Sequence, residues 1–343
     1  MSIKVSVIIP VYNAEKYITH CIESLLNQTI QECEFIFVND GSKDRSQQII
    51  EKYQKDDYRI KLINQENQGV SIARNAGLYV VKGEYVGFVD ADDYIEKDMY
   101  EVLYHSAKKS NCDVVISNFR SEIEGCEVLT KYSFPINIVL KKEYIEQEIL
   151  PYFLRSDNLN TAVNKIYRTN LIKEHNLKFP EGVMLGEDGF FNIEFFSYAT
   201  NMKYVDYTGY YYREVIGSAT RNILEKDYFK RAIEVYTMEV PQAYIGKMDA
   251  RQVRKLKSIK FINSVMAYVY IYFKPSKEVD FNKRYRYVKQ MVRNKHVRDA
   301  LPIYQSEVYG TLGRYEKMIL HLIQMRLTMG LYCVTAYSRI RNK

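Results

Sequence analysis

The first part of the chain alternates two apolar patterns. Short continuous apolar runs, typical of buried strands, are separated by segments with helical periodicity. The predicted strands are Val5–Pro10, Glu34–Val38, Ile60–Asn64 and Tyr85–Val89, and the helices between them are Glu15–Gln28, Asp44–Tyr53 and Ser71–Val81. Because successive strands joined by crossover helices run parallel, this order predicts an α/β fold with a mainly parallel sheet covered by helices.

The remaining chain divides into a mixed part and a helical part. Further helices are predicted at Lys97–Ser110, Lys142–Leu154, Thr169–His175 and Asp188–Ala199, and strands at Asp113–Asn118, Glu127–Tyr132, Ala162–Tyr167 and Lys203–Tyr212. After about Leu224 the pattern is long and helical, with Pro275 and Pro302 as expected breaks. We therefore predict two domains, residues 1–223 and 224–343.

The number and spacing of the cysteines and the lengths of the apolar runs indicate the cellular compartment. The five cysteines are an odd number without a Cys-x-x-Cys pair, so neither a disulfide framework nor a zinc site is indicated. The apolar run Val5–Ile9 is too short for a signal peptide, and no segment is long and apolar enough to span a membrane. We expect a cytoplasmic protein.

Charge is distributed unevenly along the chain. From Arg221 onward there are 25 Lys and Arg against 10 Asp and Glu, a balance of +15, so the preceding residues carry −8 of the total +7. Within this basic part, Lys317–Arg341 carries apolar residues at helical spacing beside cations. These residues are Met318, Leu322, Met325, Met329 and Tyr332, beside Lys317, Arg326, Arg339 and Arg341. The pattern is typical of a helix on an anionic membrane surface, but equally of one packed on its own domain or in a homodimer.

An acidic triplet follows the fourth predicted strand. Asp90, Asp92 and Asp93 lie at the carboxyl end of that strand, the edge where open α/β sheets bind ligands. Two carboxylates one residue apart can bind one hard cation that keeps substrate phosphates as its other ligands. Alone, the triplet is better explained by a solvated Asp-rich turn that caps the next helix, and the neighbouring motifs reverse that judgement.

Two further turns reach the same edge. Pro10 ends the first strand, Asn13 is predicted to cap the next helix, and the Tyr12 ring between them can stack on a base. Asp40 ends the second strand, where a carboxylate can accept a hydrogen bond from a base or a ribose, and Gly41 permits a tight turn.

The third turn begins a helix that carries an arginine. A polar loop from Asn67 runs into this helix, with Arg74 on its second turn. Arg74 can pair with a substrate phosphate or form a structural salt bridge with Asp90 or Asp92, and both roles can hold together.

A fourth segment places two acids at a helix start. Glu187 and Asp188 are favoured there by unpaired N–H groups and the helix dipole, which is a sufficient structural explanation. The same position keeps Asp188 ionised, as a general base requires, and Phe190 and Phe191 can exclude water.

Five motifs in this order resemble those of family 2 glycosyltransferases of GT-A fold, of the kind that builds bacterial polysaccharides, exopolysaccharides or teichoic acids. The motifs are Val5–Asn13, Asn39–Ser42, Asn67–Gly69 with Ala73–Asn75, Asp90–Asp93, and Glu187–Asp188. Their order and spacing match over roughly residues 5–218. The resemblance implies inverting transfer of a sugar from a nucleotide-diphosphate donor.

The resemblance also implies roles for individual residues. Asp188 looks like the catalytic base, Asp92 and Asp90 like the site of Mn²⁺ or Mg²⁺, and Lys165 like an acceptor-side residue, although Val163 stands where the family often has an aromatic. Arg213 and Ser218 resemble the loop that closes over the diphosphate. The implied donor-binding residues are Pro10, Tyr12, Asn13, Glu15, Asp40, Arg74, Asn75, Asp90, Asp92, Glu187, Arg213 and Ser218.

These features predict an enzyme that adds one sugar, from a UDP-sugar, to a hydroxyl of a cell-surface polysaccharide or a lipid-linked glycan. Processive synthases of the family carry membrane spans and a Gln-x-x-Arg-Trp motif, and this chain contains no Trp. The alternatives are a nucleotidyltransferase that makes the nucleotide sugar and a nucleic-acid-binding protein that uses the basic tail. A nucleotidyltransferase would normally carry a Gly-rich phosphate loop after its first strand, and this chain has no such loop there. A nucleic-acid-binding protein would leave the five motifs unexplained, so no nucleic-acid partner is expected.

Overall fold

The computed structural model describes two compact units. The N-terminal unit comprises Met1–Phe153 and Asn158–Gly217, and the C-terminal unit comprises Leu154–Asp157 and Ser218–Lys343. The predicted domain boundary at 223/224 lies outside the described residues. The residues that the structure describes are 2–123, 125–182, 186–215, 227–239, 244, 246–275 and 279–341.

The N-terminal unit contains a ten-stranded sheet and helices on it. The strands are β1 Val5–Val11, β2 Cys33–Asp40, β3 Ile60–Gln65, β4 Tyr85–Phe88, β5 Tyr94–Ile95, β6 Val114–Ile123, β7 Cys126–Thr130, β8 Val139–Lys141, β9 Lys165–Arg168 and β10 Asn201–Tyr212. The helices are α1 Ile18–Leu26, α2 Ser46–Asp56, α3 Val70–Val80, α4 Met99–Ser110, α5 Lys142–Tyr144, which continues through the π-helical Ile145–Ile149 into α6 Leu150–Arg155, α7 Thr169–Glu174 and α8 Glu187–Tyr198.

The sheet has the strand order β3-β2-β1-β4-β9-β6-β10-β5, with β7 beside β6 and β8 beside β10. Strands β1 to β4 are mutually parallel, as the sequence predicts. The second half is mixed because β9 runs antiparallel to both β4 and β6, while β10 runs parallel to β6. The short strands β5 and β8 have too few residues for a period-2 pattern and were not predicted.

Both faces of the central strands are covered by side chains from helices or loops. Ile8 of β1 faces α3, where Gly77 leaves room for it, since a Cβ at residue 77 would lie 2.5 Å from Ile8 Cγ2. Gly87 of β4 faces α4 in the same way, against the Tyr100 ring. Phe88, on the opposite face of β4 from Gly87, packs edge-on against Phe191 of α8. Strands β1, β2 and β4 are thus buried, and the carboxyl ends of the four parallel strands form one edge of the sheet.

The C-terminal unit is helical in its described part. Its helices are α9 Tyr228–Thr237, α10 Ala250–Phe273, α11 Phe281–Arg293, α12 Lys295–Val308, α13 Arg314–Gln324 and α14 Thr328–Arg341. Its core contains apolar residues from all six, among them Phe229, Ile262, Val288, Leu301, Ile323 and Leu331.

Two sequence predictions for this unit are wrong. Pro302 does not break a helix: it lies inside α12 on the exposed side, between Leu301 and Tyr304, whose burial holds the helix together. The segment Lys317–Arg341 is not one helix either, because α13 ends at Gln324 and the chain turns at Arg326, where φ is 59°. Leu322 and Tyr332 of the predicted stripe pack against the core, and Met318, Met325 and Met329 are exposed.

In the parts of the chain that the structure describes, no helix is both long enough and apolar enough to cross a membrane.

Candidate active site

The first two turns at the carboxyl edge are fastened to each other. The Asn13 backbone N–H donates to Ser42 Oγ at 3.1 Å, and Asn13 Oδ1 accepts from the Lys43 N–H at 2.8 Å. Asn13 therefore connects two turns and does not cap α1 as predicted, because this helix begins at Ile18 with Tyr17 as its N-cap. A positive φ of 51° at Asn13, tolerated by Asn, allows this geometry.

Tyr12, Pro10 and Glu15 surround this junction. The Tyr12 ring is 50% exposed, and Pro10 lies half-buried in β1. The Glu15 N–H donates to Asp44 Oδ2 at 2.9 Å, and its carboxylate accepts from the Arg45 N–H at 3.0 Å. Pro10, Asn13 and Glu15 thus lie beside Tyr12, whose exposed ring can stack on a base. Their donor-binding roles stay predictions.

Asp40 organises the loop that precedes α3. Its side chain is buried, and its oxygens accept from Gln65 Nε2 at 2.7 Å, the Gln68 N–H at 2.9 Å and the Gly69 N–H at 2.8 Å. The adjacent Gly41 has φ +70°, and a Cβ there would lie 2.8 Å from the Asn67 nitrogen, so the turn requires glycine. Asp40 therefore lies at the carboxyl edge of the sheet, as predicted, and its carboxylate already accepts three hydrogen bonds from within the protein.

Arg74 joins three acids from two distant segments. Its Nη2 donates to Asp90 Oδ1 at 2.9 Å, and its Nη1 donates to Asp188 Oδ1 at 2.6 Å and Glu187 Oε1 at 3.3 Å. The arginine is 3% exposed. The salt bridge to Asp90 is one of those predicted, and the structure adds the two acids of α8. One buried cation thus fixes the acidic triplet beside the predicted base.

Asn75 supports the wall behind Arg74. Its Nδ2 donates to the Phe179 carbonyl at 2.9 Å, and its Oδ1 accepts from the Phe179 N–H at 2.8 Å. This pair holds the Phe179 ring 5.2 Å from the Arg74 guanidinium carbon. Within the structure Asn75 therefore acts on the backbone of Phe179, and its predicted contact with the donor is untested.

Burial and charge act in opposite directions on Asp188. Burial raises the pKa of its carboxyl, while Arg74 and a hydrogen bond from the Ala162 N–H to Oδ2, at 2.9 Å, lower it. Burial and the charge of Asp188 also raise the pKa of Glu187. Raising a carboxyl pKa towards neutrality is how an enzyme makes a stronger base, so the site suits proton abstraction.

The third acid of the triplet is structural. Asp93 is 1% exposed and accepts from Tyr210 Oη at 2.5 Å and the Arg213 N–H at 2.8 Å. The same Tyr210 hydroxyl accepts from the Asp90 N–H at 3.2 Å. Asp93 and Tyr210 thus shape the turn that presents Asp90 and Asp92. Sequence reasoning did not assign Tyr210, and its position within an alternating strand gives no signal.

Asp90 and Asp92 fit a divalent cation that is only partly enclosed by protein. Burial and the charge of Asp90 raise the pKa of Asp92 to about 6, which is the behaviour of uncompensated carboxylates. Within the described ranges, no group of three or more His, Cys, Asp or Glu side chains is arranged to hold a metal. Two carboxylates suit Mg²⁺ or Mn²⁺ when substrate phosphates and water complete the coordination.

Arg213 lies between the acids and α1. Its Nη2 donates to His20 Nδ1 at 2.5 Å, and its guanidinium carbon lies 5.4 Å from the Tyr17 ring centre and 5.3 Å from that of Tyr94. With its N–H on Asp93, Arg213 brings a positive charge next to the triplet. Ser218, the other predicted loop residue, lies outside the described residues.

Lys165 differs from its expected position. Its side chain is completely buried, and its ammonium donates to the carbonyl oxygens of Leu159 and Thr161 and to Asn164 Oδ1. Burial lowers its pKa to about 7, and the Asp188 charge opposes that shift. The ammonium is therefore not where an acceptor would reach it, which corrects the acceptor-side expectation.

Asn192 was missed by sequence reasoning. Located one turn after Asp188 on α8, it is completely buried, and its Nδ2 donates to the Asp188 carbonyl at 2.8 Å. A polar residue inside the Phe-rich helix Glu187–Tyr198 was the available signal, since buried amides need partners.

Comparisons with known proteins identify the family of this chain. The model of "Glycosyl transferase family 2" matches residues 6–175, which contain Asp40, Arg74, Asp90 and Asp92 but not Asp188. The glycosyltransferase EpsJ of Bacillus subtilis is 36% identical over 242 residues, which are 71% of this chain and 69% of EpsJ.

The protein is also similar to two Staphylococcus aureus enzymes. Poly(ribitol-phosphate) beta-N-acetylglucosaminyltransferase TarP is 30% identical over 284 residues, 77% of this chain and 84% of TarP. The crystal structure of TarS residues 1–349 in complex with UDP-GlcNAc has a TM-score of 0.64 at 22% identity, covering 98% of this chain and 91% of the TarS chain. At that identity the likeness concerns the GT-A fold.

Proposed function

Because this chain belongs to glycosyltransferase family 2 and is a glycosyltransferase, we propose that it moves one sugar from a UDP-sugar to a hydroxyl of a cell-surface polysaccharide or lipid-linked glycan, with inversion and with Asp188 as the base. The transferred group is a hexose or an N-acetylhexosamine. The polysaccharide acceptor is supported by TarP, whose name states a poly(ribitol-phosphate) substrate and an N-acetylglucosaminyl group.

One observation carries the mechanism: Arg74 ties Asp188 to Asp90 across a single guanidinium group. The acceptor hydroxyl attacks the anomeric carbon from the side opposite the diphosphate, and Asp188 takes its proton as the new bond forms. Arg74 and the Ala162 N–H each hold one oxygen of Asp188, so the carboxylate is oriented before substrates bind.

The leaving diphosphate needs positive charge. We propose that Asp90 and Asp92 hold Mg²⁺ or Mn²⁺, which supplies a Lewis acid for the diphosphate. Arg213 adds a second cation from the chain itself, since its backbone is fixed on Asp93. Tyr12, half-exposed at the neighbouring turn, is the proposed stacking surface for the base.

The test is Asp188→Asn, which keeps the size of the side chain and one of the two acceptor oxygens but cannot accept a proton. We expect kcat for transfer to fall by roughly two or more orders of magnitude, while UDP affinity by calorimetry stays unchanged. Glu194→Gln is the matched control, because it neutralises an exposed acid on the same helix. A near-normal kcat in Asp188→Asn would show that Asp188 is not the base, and Glu187 would be the next residue to substitute.

We also propose that the C-terminal unit brings the enzyme to an anionic membrane face. The turn after α13 and the start of α14 expose Met325, Leu327 and Met329, each by half or more, around the exposed Arg326. Apolar side chains beside cations suit the lipid interface. Each cation contributes about 1 kcal/mol near such a surface, and salt weakens this attraction.

Vesicle flotation tests this localisation. The protein should float with anionic vesicles at low salt and less at high salt, and Leu327→Ser with Arg326→Glu should abolish flotation. Tyr58→Ser, which removes an exposed ring from the N-terminal unit, is the control. No flotation at low salt together with a dimer by light scattering would instead assign this surface to a second copy of the chain.

A further inference from the structure

We propose that Lys165 is a positioning residue for the reaction, which fixes the loop of residues 159–162 so that the Ala162 N–H orients Asp188. The inference rests on the proposed role of Asp188 as the base. It gives Lys165 a function through the protein interior in place of contact with the acceptor.

The first step is the connection from Lys165 to the loop. Lys165 begins β9, and its ammonium reaches back to the carbonyl oxygens of Leu159, at 3.2 Å, and Thr161. A third bond, 3.0 Å long, goes to Asn164 Oδ1. An ammonium has three N–H donors, and each has an acceptor here. Two of these bonds hold backbone groups on either side of residue 160.

The second step is the connection from the loop to the base. The Ala162 N–H donates to Asp188 Oδ2 at 2.9 Å, and Arg74 donates to Oδ1 at 2.6 Å. Two donors from separate parts of the fold thus define the plane of the carboxylate. If the loop shifts, Oδ2 loses its donor and the carboxylate can rotate while Arg74 still holds one oxygen.

A second buried side chain holds the same loop from the other side. Asn192 Nδ2 donates to the Asn160 carbonyl at 2.7 Å and to the Asp188 carbonyl at 2.8 Å, and its Oδ1 accepts from Tyr167 Oη at 2.8 Å. Asn192 therefore ties the loop to the helix that carries the base. Lys165 and Asn192 are both completely buried, and together they hold residues 159–161.

The complete burial of the Lys165 side chain supports a role in the site. A buried ammonium is costly, and an apolar side chain would fill the same space more favourably. The three hydrogen bonds of Lys165 offset part of this cost, and its positive charge serves the neighbouring site. Burial lowers the pKa of Lys165 and raises that of Asp188, and the charge of each residue opposes the shift of the other, so each favours the other's charged form.

The experiment compares Lys165→Met with Lys165→Gln. Met has a similar shape without donors, so we expect kcat to fall 10- to 100-fold, the effect of a misplaced catalytic group, while calorimetric UDP affinity and KM for the donor stay within about twofold. Gln restores an N–H donor and should recover part of kcat. The acid limb of the pH–rate profile should move to higher pH in Lys165→Met.

The matched control is Thr169→Val. Lys165 is the first residue of β9, and Thr169 comes directly after its last residue. Thr169 Oγ1 donates to the Gly83 carbonyl at 2.6 Å and is also buried, so this variant removes a buried bond to a backbone carbonyl away from the base. It should lower the melting temperature without changing kcat or the pH profile. If Lys165→Met behaves like Thr169→Val, Lys165 is merely structural and the proposal is wrong.

A double variant separates this proposal from the proposed base. In an Asp188→Asn background, Lys165→Met should cause little further loss of single-turnover rate, because its effect acts through Asp188. Additive losses would overturn the positioning role while leaving Asp188 as the base. Full activity of Asp188→Asn would instead overturn the base. Should Lys165→Met not fold, Asn192→Ala tests the same loop, with reduced kcat and retained UDP affinity expected and unchanged kcat contradicting the proposal.

Discussion

The arginine shared by three acids allows a quantitative prediction for Arg74→Met. The substitution removes the hydrogen bonds to Asp90, Glu187 and Asp188 and leaves three carboxylates facing one another. Hydrogen bonds to charged groups contribute about 1.5–3 kcal/mol each. The acids are 15–30% exposed and regain some water, so the sum is an upper limit. Removing one partner of a buried ion pair costs about 3–5 kcal/mol, which we expect here at neutral pH.

The stability that Arg74→Met is expected to lose depends on pH, and the direction of this dependence follows from the pKa shifts. Burial already raises the pKa values of Glu187 and Asp188 above their unfolded values near 4, and losing Arg74 raises them further. Over the interval between unfolded and folded pKa, the folded state binds more protons, so its free energy of unfolding falls as pH rises. The deficit of Arg74→Met should therefore be smaller at pH 5 than at pH 8.

Thermal unfolding at several pH values measures this effect. For a unit of 150–250 residues each kcal/mol corresponds to about 2–4 °C, so the variant should melt roughly 6–20 °C lower at pH 8. Arg168→Met is the control, because Arg168 pairs with a single acid, Asp113. A loss below about 1 kcal/mol, or one that does not shrink at pH 5, would refute the view that Arg74 neutralises buried carboxylates.

Three further predictions concern the site and its support. Asp92→Asn should abolish the gain in UDP affinity on adding Mn²⁺, and unchanged calorimetric affinity with and without EDTA in the parent protein would contradict the metal role. The acid limb of kcat against pH should lie above the ordinary aspartate range near 3.9, because burial raises the pKa of Asp188, and a rate that stays flat down to pH 4 would contradict this. Gly87→Ala should destabilise the protein by about 1–3 kcal/mol, since its Cβ would lie 2.5 Å from Tyr100 Cε1, and a denaturation midpoint equal to that of the parent would show that α4 moves away freely.

Sequence reasoning located the edge of the sheet because that edge follows from topology. Asp40 and Asp90 each follow an apolar run, and parallel strands end on one side, so their proximity needs no knowledge of side-chain packing. The same reasoning could not give the strand order beyond β4, because β9 lies antiparallel between β4 and β6 through contacts distant in sequence.

Individual contacts escaped prediction for a related reason. Asn13 looks like a helix cap, yet its side chain bonds to Lys43, a partner that becomes a neighbour only when β1 and β2 pair. Lys165 resembles an acceptor-side residue in the sequence, and only the return of the loop before β9 shows its carbonyl partners. Residue types at turns thus reveal which groups reach the edge, whereas the partner of each group depends on the assembled fold.

The hydrogen bonds that connect the first three turns at the carboxyl edge limit how such an enzyme can be engineered. The first turn is bonded to the second through Asn13, and the second to the third through Asp40, whose carboxylate holds the Gly69 N–H. Exchanging any one turn with that of a relative would break bonds made by its neighbour. We therefore expect the segment from Tyr12 to Gly69 to tolerate exchange with a relative as a whole and not turn by turn.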